Sequence, residues 1–281
     1  MSVPFFAKRF VAGTSLAEAV VAVQVLNSQK IQVSLDILGE NVANKDEARQ
    51  ALGDYLRVVD SIRNEKLKSH ISIKLTMLGL DESDAFAEDQ LCTLLERAKA
   101  AETFVRIDME GSKYTGRTVD LFTRVRPKYD NVGIVLQAYL KRTADDLERV
   151  LAVGGKVRLC KGAYKESKEL AYQDMNEIRA NYLKLARRLF ESCEYPAMAT
   201  HDDHLIQEVK ALAATTGRKK ETFEFQMLYG LRRKSWGKIV GEGFNMRVYV
   251  PFGDSWYPYF SRRLRERKEN VLFILQNLLK D

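Results

Sequence analysis

Three cysteines are too few and too scattered to organise this chain. Cys92, Cys160 and Cys193 are odd in number and far apart. They imply neither a disulfide framework nor a cysteine zinc site, and they suit a reducing cytosol. Long hydrophobic runs are missing as well. The longest apolar stretch, Leu16 to Leu26, is interrupted by Glu18 and Gln24, which leaves nothing that spans a bilayer. Lys8 and Arg9 are not followed by an uninterrupted apolar region, so no signal peptide is expected. No low-complexity run or Pro/Gly-rich linker divides the sequence. Neither G-x-G-x-x-G nor G-x-x-x-x-G-K-S/T occurs, which removes the usual dinucleotide and P-loop signatures. Histidine is scarce. His201 and His204 in "HDDH" have no third ligand at suitable spacing, so no metal is expected; His204 and His70 read as structural or surface residues.

What the chain does have is bulk and alternation. Its 281 residues suggest two domains, or one α/β barrel of about 250 residues. A hydrophobic content of 46% is enough for a large core. The net charge of +7 points to anionic partners. It is spread along the chain, so a solvated surface is the simpler reading and no nucleic-acid partner is expected. Eight β-rich runs follow one another: "IQVSLDIL" (31–38), "HISIKLTM" (70–77), "TFVRIDM" (103–109), "NVGIVLQAY" (131–139), "KVRLC" (156–160), "PAMAT" (196–200), "TFEFQML" (222–228) and "NMRVYVPF" (245–252). Helical spacing of apolar residues marks segments 46–63, 86–100, 145–153, 166–190, 205–214 and 231–240 between them. Strands alternating with helices imply a parallel sheet, and eight units with no ninth imply closure into a (β/α)₈ barrel. An amphipathic segment, 15–25, precedes the first strand and is expected to plug or flank the barrel. The division expected is an N-terminal helical arm over 1–30 and a barrel over 31–281.

A barrel places its chemistry at the C-terminal ends of its strands. Those ends are unusually polar here: Lys74 on strand two, Asp108 and Glu110 on three, Gln137 on four, Arg158, Lys161 and Tyr164 on five, Thr200, His201 and Asp202 on six, Gln226 on seven and Tyr249 on eight. Each alone reads as a salt bridge or a side chain reaching solvent. Seven consecutive strand ends with the same habit weaken that reading. After strand eight, Tyr259, Arg262, Arg263 and Glu266 share a helical stripe, and Trp256, Phe260 and Leu264 share another about 110° away. The apolar stripe is expected to pack on the barrel and the Tyr-Arg-Arg-Glu stripe to face its mouth. Two adjacent guanidiniums suit a carboxylate ligand; the bland alternative is a solvated face with intrahelical Arg–Glu pairs.

Taken together, "SIKLT", "RIDME", "VLQAY", "RLCKGAY", "ATHD", "FEFQMLYG", "VYVPFG" and "YPYFSRRL..E" resemble the proline dehydrogenases of the short, monofunctional bacterial type, over nearly the whole chain from about Phe10. The resemblance implies a distorted (β/α)₈ barrel holding FAD across its C-terminal face, without a Rossmann domain. It implies oxidation of L-proline to Δ1-pyrroline-5-carboxylate, with hydride passing from C5 to flavin N5. By the same resemblance Lys74, Arg262 and Arg263 bind the substrate carboxylate, and Tyr249, Tyr259 and Leu228 wall the ring. Arg263 pairs with Glu266. Asp108 and Arg158 are the catalytic pair, Asp108 holding Lys74 or Tyr249 and Arg158 lying beside the flavin's reactive edge. Met109 and Gln137 contact the isoalloxazine. Lys161, Gly162 and Ala163 approach the cofactor through backbone N–H groups, and Thr200 and His201 lie near its ribityl–pyrophosphate part. Gln226 and Glu266 complete the cofactor side, and the segment 172–179, with Arg179, serves the pyrophosphate. Lys165 departs from the tryptophan that bifunctional relatives tend to carry, which puts the adenine end in question. The implied partners are L-proline and an electron acceptor, commonly a membrane quinone, so a cytoplasmic protein peripheral to the membrane is expected. Two other readings stay open: a Schiff-base barrel aldolase using Lys161 or Lys74, and a hydroxyproline-preferring dehydrogenase. A basic RNA- or membrane-binding protein would rest on charge alone.

Overall fold

A computed structural model describes residues 10–257, 259 and 261. Eight parallel strands close on themselves in sequence order, β1 (Gln32–Ile37), β2 (Ser69–Ile73), β3 (Val105–Ile107), β4 (Val132–Gln137), β5 (Lys156–Cys160), β6 (Ala197–Ala199), β7 (Glu224–Leu228) and β8 (Asn245–Phe252), with β8 pairing back to β1. The helices are α1 (Leu16–Ser28), α2 (Lys45–Asn64), α3 (Asp84–Ala100), α4 (Ser112–Val125), α5 (Thr143–Ala152), α6 (Met175–Ser192), α7 (Asp203–Thr215) and α8 (Arg233–Gly241). This is a TIM-type α/β barrel. Helix α1 opens with a capping box at Ser15 and Glu18 and packs on the outside of β1 and β8. It thus flanks the barrel rather than plugging it.

The two faces of each strand carry different chemistry. Outward positions such as Val33, Leu35, Ile71, Ile73, Val105, Ile107, Val248 and Val250 are buried against the helices in one continuous core. The alternate positions point into the barrel, because successive strand side chains take opposite faces. They read Ser34 and Asp36, His70 and Ser72, Arg106, Arg158, Glu224 and Gln226, and Arg247, all buried. A polar barrel interior is stable only if its groups bond one another. At the N-terminal end Arg247 donates to Glu224 (2.8 Å), to the Val33 carbonyl (2.8 Å) and to Gln32. Arg106 donates to the Lys156 carbonyl at 2.6 Å.

Several boundaries differ from the sequence reading. The second strand ends at Ile73, since Leu75–Leu78 forms a 3₁₀ turn closed by Gly79 in the left-handed region. Helix α6 begins at Met175, capped by Asp174, not at 166; the preceding segment is drawn out by a bridge between Leu140 and Ala171. Helix α4 was not read from the sequence at all.

His70 gives this interior a pH dependence. Burial, then the neighbouring cations Arg247, Arg106 and Arg158, hold its pKa well below the ordinary histidine value. The unfolded chain therefore takes up a proton near pH 6.5 that the folded chain refuses. This contribution to stability is whole above that pH and is lost as pH falls below it, at up to about 1.4 kcal/mol per pH unit. Urea unfolding between about pH 7.5 and about pH 5.5 should show a smaller acid loss in His70→Asn than in the parent; equal losses would contradict the assignment.

Candidate active site

The C-terminal mouth gathers groups from five strands. Asp108 follows directly on β3 and uses both oxygens: Oδ1 accepts from Arg158 Nη1 at 2.8 Å and Oδ2 from the Tyr249 hydroxyl at 2.7 Å. Arg158, from β5 across the barrel, also donates to Ser34 Oγ (3.0 Å) and Ser72 Oγ (3.1 Å). Its guanidinium lies over the Tyr249 ring, 5.4 Å from the centroid. Burial and the adjacent Asp108 carboxylate hold the Tyr249 phenol well above its usual pKa, so it stays a donor. Lys74 follows directly on β2 and is buried; its ammonium donates to Asp36 on β1 at 2.8 Å. Burial works against that charge, but Asp36, with Tyr55 and Asp108 beyond it, raises the Lys74 pKa above its ordinary value. Of the two partners expected for Asp108, the structure therefore pairs it with Tyr249; Lys74 goes to Asp36 instead. Glu110 accepts from Thr76 N (3.2 Å) and Oγ1 (2.6 Å), while burial raises its pKa.

A second group of residues lines the rim. Gln137 ends β4 and donates to the Glu110 carbonyl at 3.0 Å. Met109 packs into the main core. Past β5, Gly162 has φ +115°, and a Cβ added there would run into the ring of Tyr139, so only glycine fits there without strain. Ala163 beside it is half-buried. Lys161 Nζ and Arg179 Nε both bond Asp202, at 3.1 and 2.8 Å. Burial would raise the Asp202 pKa, but these two cations bring it down to about 2. Thr200 Oγ1 accepts from the Asp202 N–H at 3.1 Å. His201 Nε2 accepts from Leu228 N at 2.9 Å, which joins the ends of β6 and β7. Gln226 points inward and donates to Glu224.

Tyr259 is buried with Phe10, Val11 and Leu38, and Trp256 packs against the same cluster. The expected separation of these two aromatics onto different stripes is not kept, since residues three apart on a helix share a face. Arg262, Arg263 and Glu266 lie outside the described residues.

The donor set suits an anionic, flat, two-ended group. Two cations, Lys161 and Arg179, meet on one carboxylate, Asp202, a cationic cluster of the kind that suits a pyrophosphate. Arg158 Nε is buried and has no partner among the described residues, so this guanidinium retains a donor. Gly162 leaves backbone open to close approach. These features fit FAD. Among the described residues no group of three His, Cys, Asp or Glu side chains could hold a metal, and no helix is long and apolar enough to cross a membrane. Asp36, Ser34 and Ser72 were missed at the sequence level. The signal was present: in "QVSLDI" the polar residues Gln32, Ser34 and Asp36 alternate strictly with Val33, Leu35 and Ile37, which marks an inward polar face.

A sequence model described as "Proline dehydrogenase" matches residues 19–276. The chain is similar to "Proline dehydrogenase 2" of Bacillus subtilis strain 168, with 38% identity over 274 residues, 98% of this chain and 90% of that protein. It is 35% identical over 280 residues to "Proline dehydrogenase" of Deinococcus radiodurans, covering 98% and 90% of the two chains. Among solved structures, proline utilization A from Bdellovibrio bacteriovorus inactivated by N-propargylglycine aligns with a TM-score of 0.88 and 28% identity, over 95% of this chain and 33% of that one.

Proposed function

The chain belongs to the proline dehydrogenase family, and on that footing we propose that it oxidises L-proline to Δ1-pyrroline-5-carboxylate at the C-terminal mouth of the barrel, the first step of proline catabolism. FAD, when bound, supplies the chemistry that accepts the hydride leaving C5. The residues proposed to hold it are Gln137, Lys161, Gly162, Ala163, Thr200, His201 and Arg179, with Met109, Gln226 and Glu266 on the same side. The observation that carries the reading is Asp108 bonded at once to Tyr249 and Arg158, close enough to support the charge of the Lys74 ammonium. Lys74, Arg262 and Arg263 bind the substrate carboxylate. Tyr249, Tyr259 and Leu228 wall the ring. Arg158 supplies fixed positive charge where negative charge gathers during oxidation, and Asp108 keeps it and Tyr249 in place. No side chain becomes covalently attached. The chain's work is to bind, to orient and to keep water from the reacting carbon. Electrons then leave to an acceptor, a membrane quinone being the proposed one, which makes a cytoplasmic protein peripheral to the membrane.

The test is a dye-coupled assay with L-proline in which the imine product is trapped chemically. Proline-dependent dye reduction with stoichiometric trapped product is expected; a protein that retains FAD but gives neither would overturn the reading. The same assay with trans-4-hydroxy-L-proline probes the wall. A hydroxyl against an apolar ring pocket is expected to lower kcat/KM by about tenfold to a hundredfold. Equal turnover of both substrates would remove Tyr249 as the specificity wall.

A further inference from the structure

The barrel mouth holds a second buried carboxylate that the roles above leave unused. Asp36 sits at the inward position of β1, 1% exposed, and its Oδ1 accepts from Lys74 Nζ at 2.8 Å. The titratable groups acting on Lys74 are Asp36 from β1, Tyr55 from α2, and Asp108 and Glu110 from beyond β3, while Tyr249 on β8 and Arg158 on β5 act on Asp108. Asp108 has committed both oxygens to Arg158 and Tyr249. Glu110 is bonded to Thr76. Asp36 is thus the carboxylate placed to neutralise this ammonium.

An ammonium has three N–H groups. One goes to Asp36, which fixes the direction of the side chain and leaves two for a ligand. A lysine buried without a counter-charge tends to lose its proton, and a neutral amine attracts a carboxylate only weakly. A buried ion pair adds little to stability compared with an apolar pair of similar volume, so stability alone does not account for it.

We propose that Asp36 is a positioning residue for the substrate: it holds Lys74 charged and aimed at the carboxylate-binding position. This rests on the proline dehydrogenase reading. Asp36→Asn keeps the shape and removes the charge. Lys74 then titrates within the working range, and its share of proline binding disappears as pH rises.

The experiment compares the KM for L-proline of the FAD-loaded parent, Asp36→Asn and Lys74→Met between about pH 6 and about pH 9. The ratio of Asp36→Asn to parent is expected to start near one at the acid end. It then climbs, by up to about tenfold per pH unit, towards the ratio of Lys74→Met, which is large and independent of pH. Asp36→Glu, which restores the charge, should give a flat ratio. A flat ratio for Asp36→Asn, at any level, would overturn the proposal, because a merely structural defect or a takeover by Asp108 does not follow Lys74 titration. If Asp36→Asn does not fold, Asp36→Ser removes the carboxylate and admits water, and the same slope is required of it. Flavin content of each variant separates loss of cofactor from loss of substrate affinity. A parent enzyme that ignores proline would overturn the functional reading, whereas an active parent with a flat variant ratio overturns only the role of Asp36.

Discussion

Gly162→Ala is expected to cost the protein most of its FAD. Position 162 has φ +115°, and an added Cβ would lie 2.0 Å from Cδ1 and 2.3 Å from Cε1 of Tyr139. Tyr139 has little room to yield. Its ring is buried in a cluster with Leu140, Ala171 and Ile178, its N–H bonds the Lys161 carbonyl at 2.8 Å, and its own carbonyl accepts from Tyr172 at 2.8 Å. The backbone of the loop must therefore move. Strain at such a dihedral costs about 1–3 kcal/mol, and overpacking a filled site costs about 1–3 kcal/mol more. The loop is a rim segment, so the displacement falls on the proposed cofactor contacts more than on the barrel. A 3 kcal/mol loss corresponds to about a hundredfold weaker binding. The flavin-to-protein absorbance ratio of the purified variant should fall steeply while the melting temperature drops by only a few degrees. Gly162→Ala combined with Tyr139→Ala should recover part of the loss, since it removes the overlap and leaves only the dihedral strain. Full flavin occupancy in Gly162→Ala would contradict the placement of this loop against the cofactor.

Asp108→Asn should be nearly as damaging, to turnover instead of cofactor content. The carboxylate joins Arg158 to Tyr249 in a buried setting. Removing the charge leaves a guanidinium buried with no anion on it, a loss of about 3–5 kcal/mol when one partner of a buried pair is deleted. Arg158 keeps its bonds to Ser34 and Ser72, so the fold is expected to survive with a lowered melting temperature. Arg158 and Tyr249 both lose their positioning. Losing one fixed charge-stabilising contact typically lowers rates by about 10²–10³, and kcat/KM for L-proline is expected to fall by that order. A variant with kcat/KM within a few-fold of the parent would show that Asp108 is only structural.

The architecture was largely legible because most strands carry their own short β-branched run, β6 and β7 being the exceptions among the described residues. "KVRLC" and "NMRVYVPF" match β5 and β8 to the residue. Helix α4 was not legible for a physical reason. Its buried face carries Thr115 and Thr118 where a leucine would have signalled burial, and Gly116 interrupts the pattern. Its first turn is held from afar: Glu166, 54 positions on, accepts from Ser112 N at 2.7 Å, so no local cap marks the start. The segment before α6 has helical composition, yet tertiary hydrogen bonds at Lys141 and Tyr172 draw it out. At the site, the polar strand ends stood out as a set, but their pairing did not. Asp36 or Asp108 as the partner of Lys74 is decided by how the closed barrel brings β1, β2 and β3 together, and a linear pattern does not carry that distance. Asp36 escaped because it sits between leucine and isoleucine, where a single acid looks incidental unless the alternation with Ser34 is counted.

In the proposed function this mouth holds a flavin within reach of proline. An anaerobic absorbance titration of the FAD-loaded protein with L-proline tests it most directly. The visible flavin absorbance band should bleach in proportion to added proline. A flavin band that stays unchanged at saturating proline, or a protein that takes up no FAD, would contradict the account.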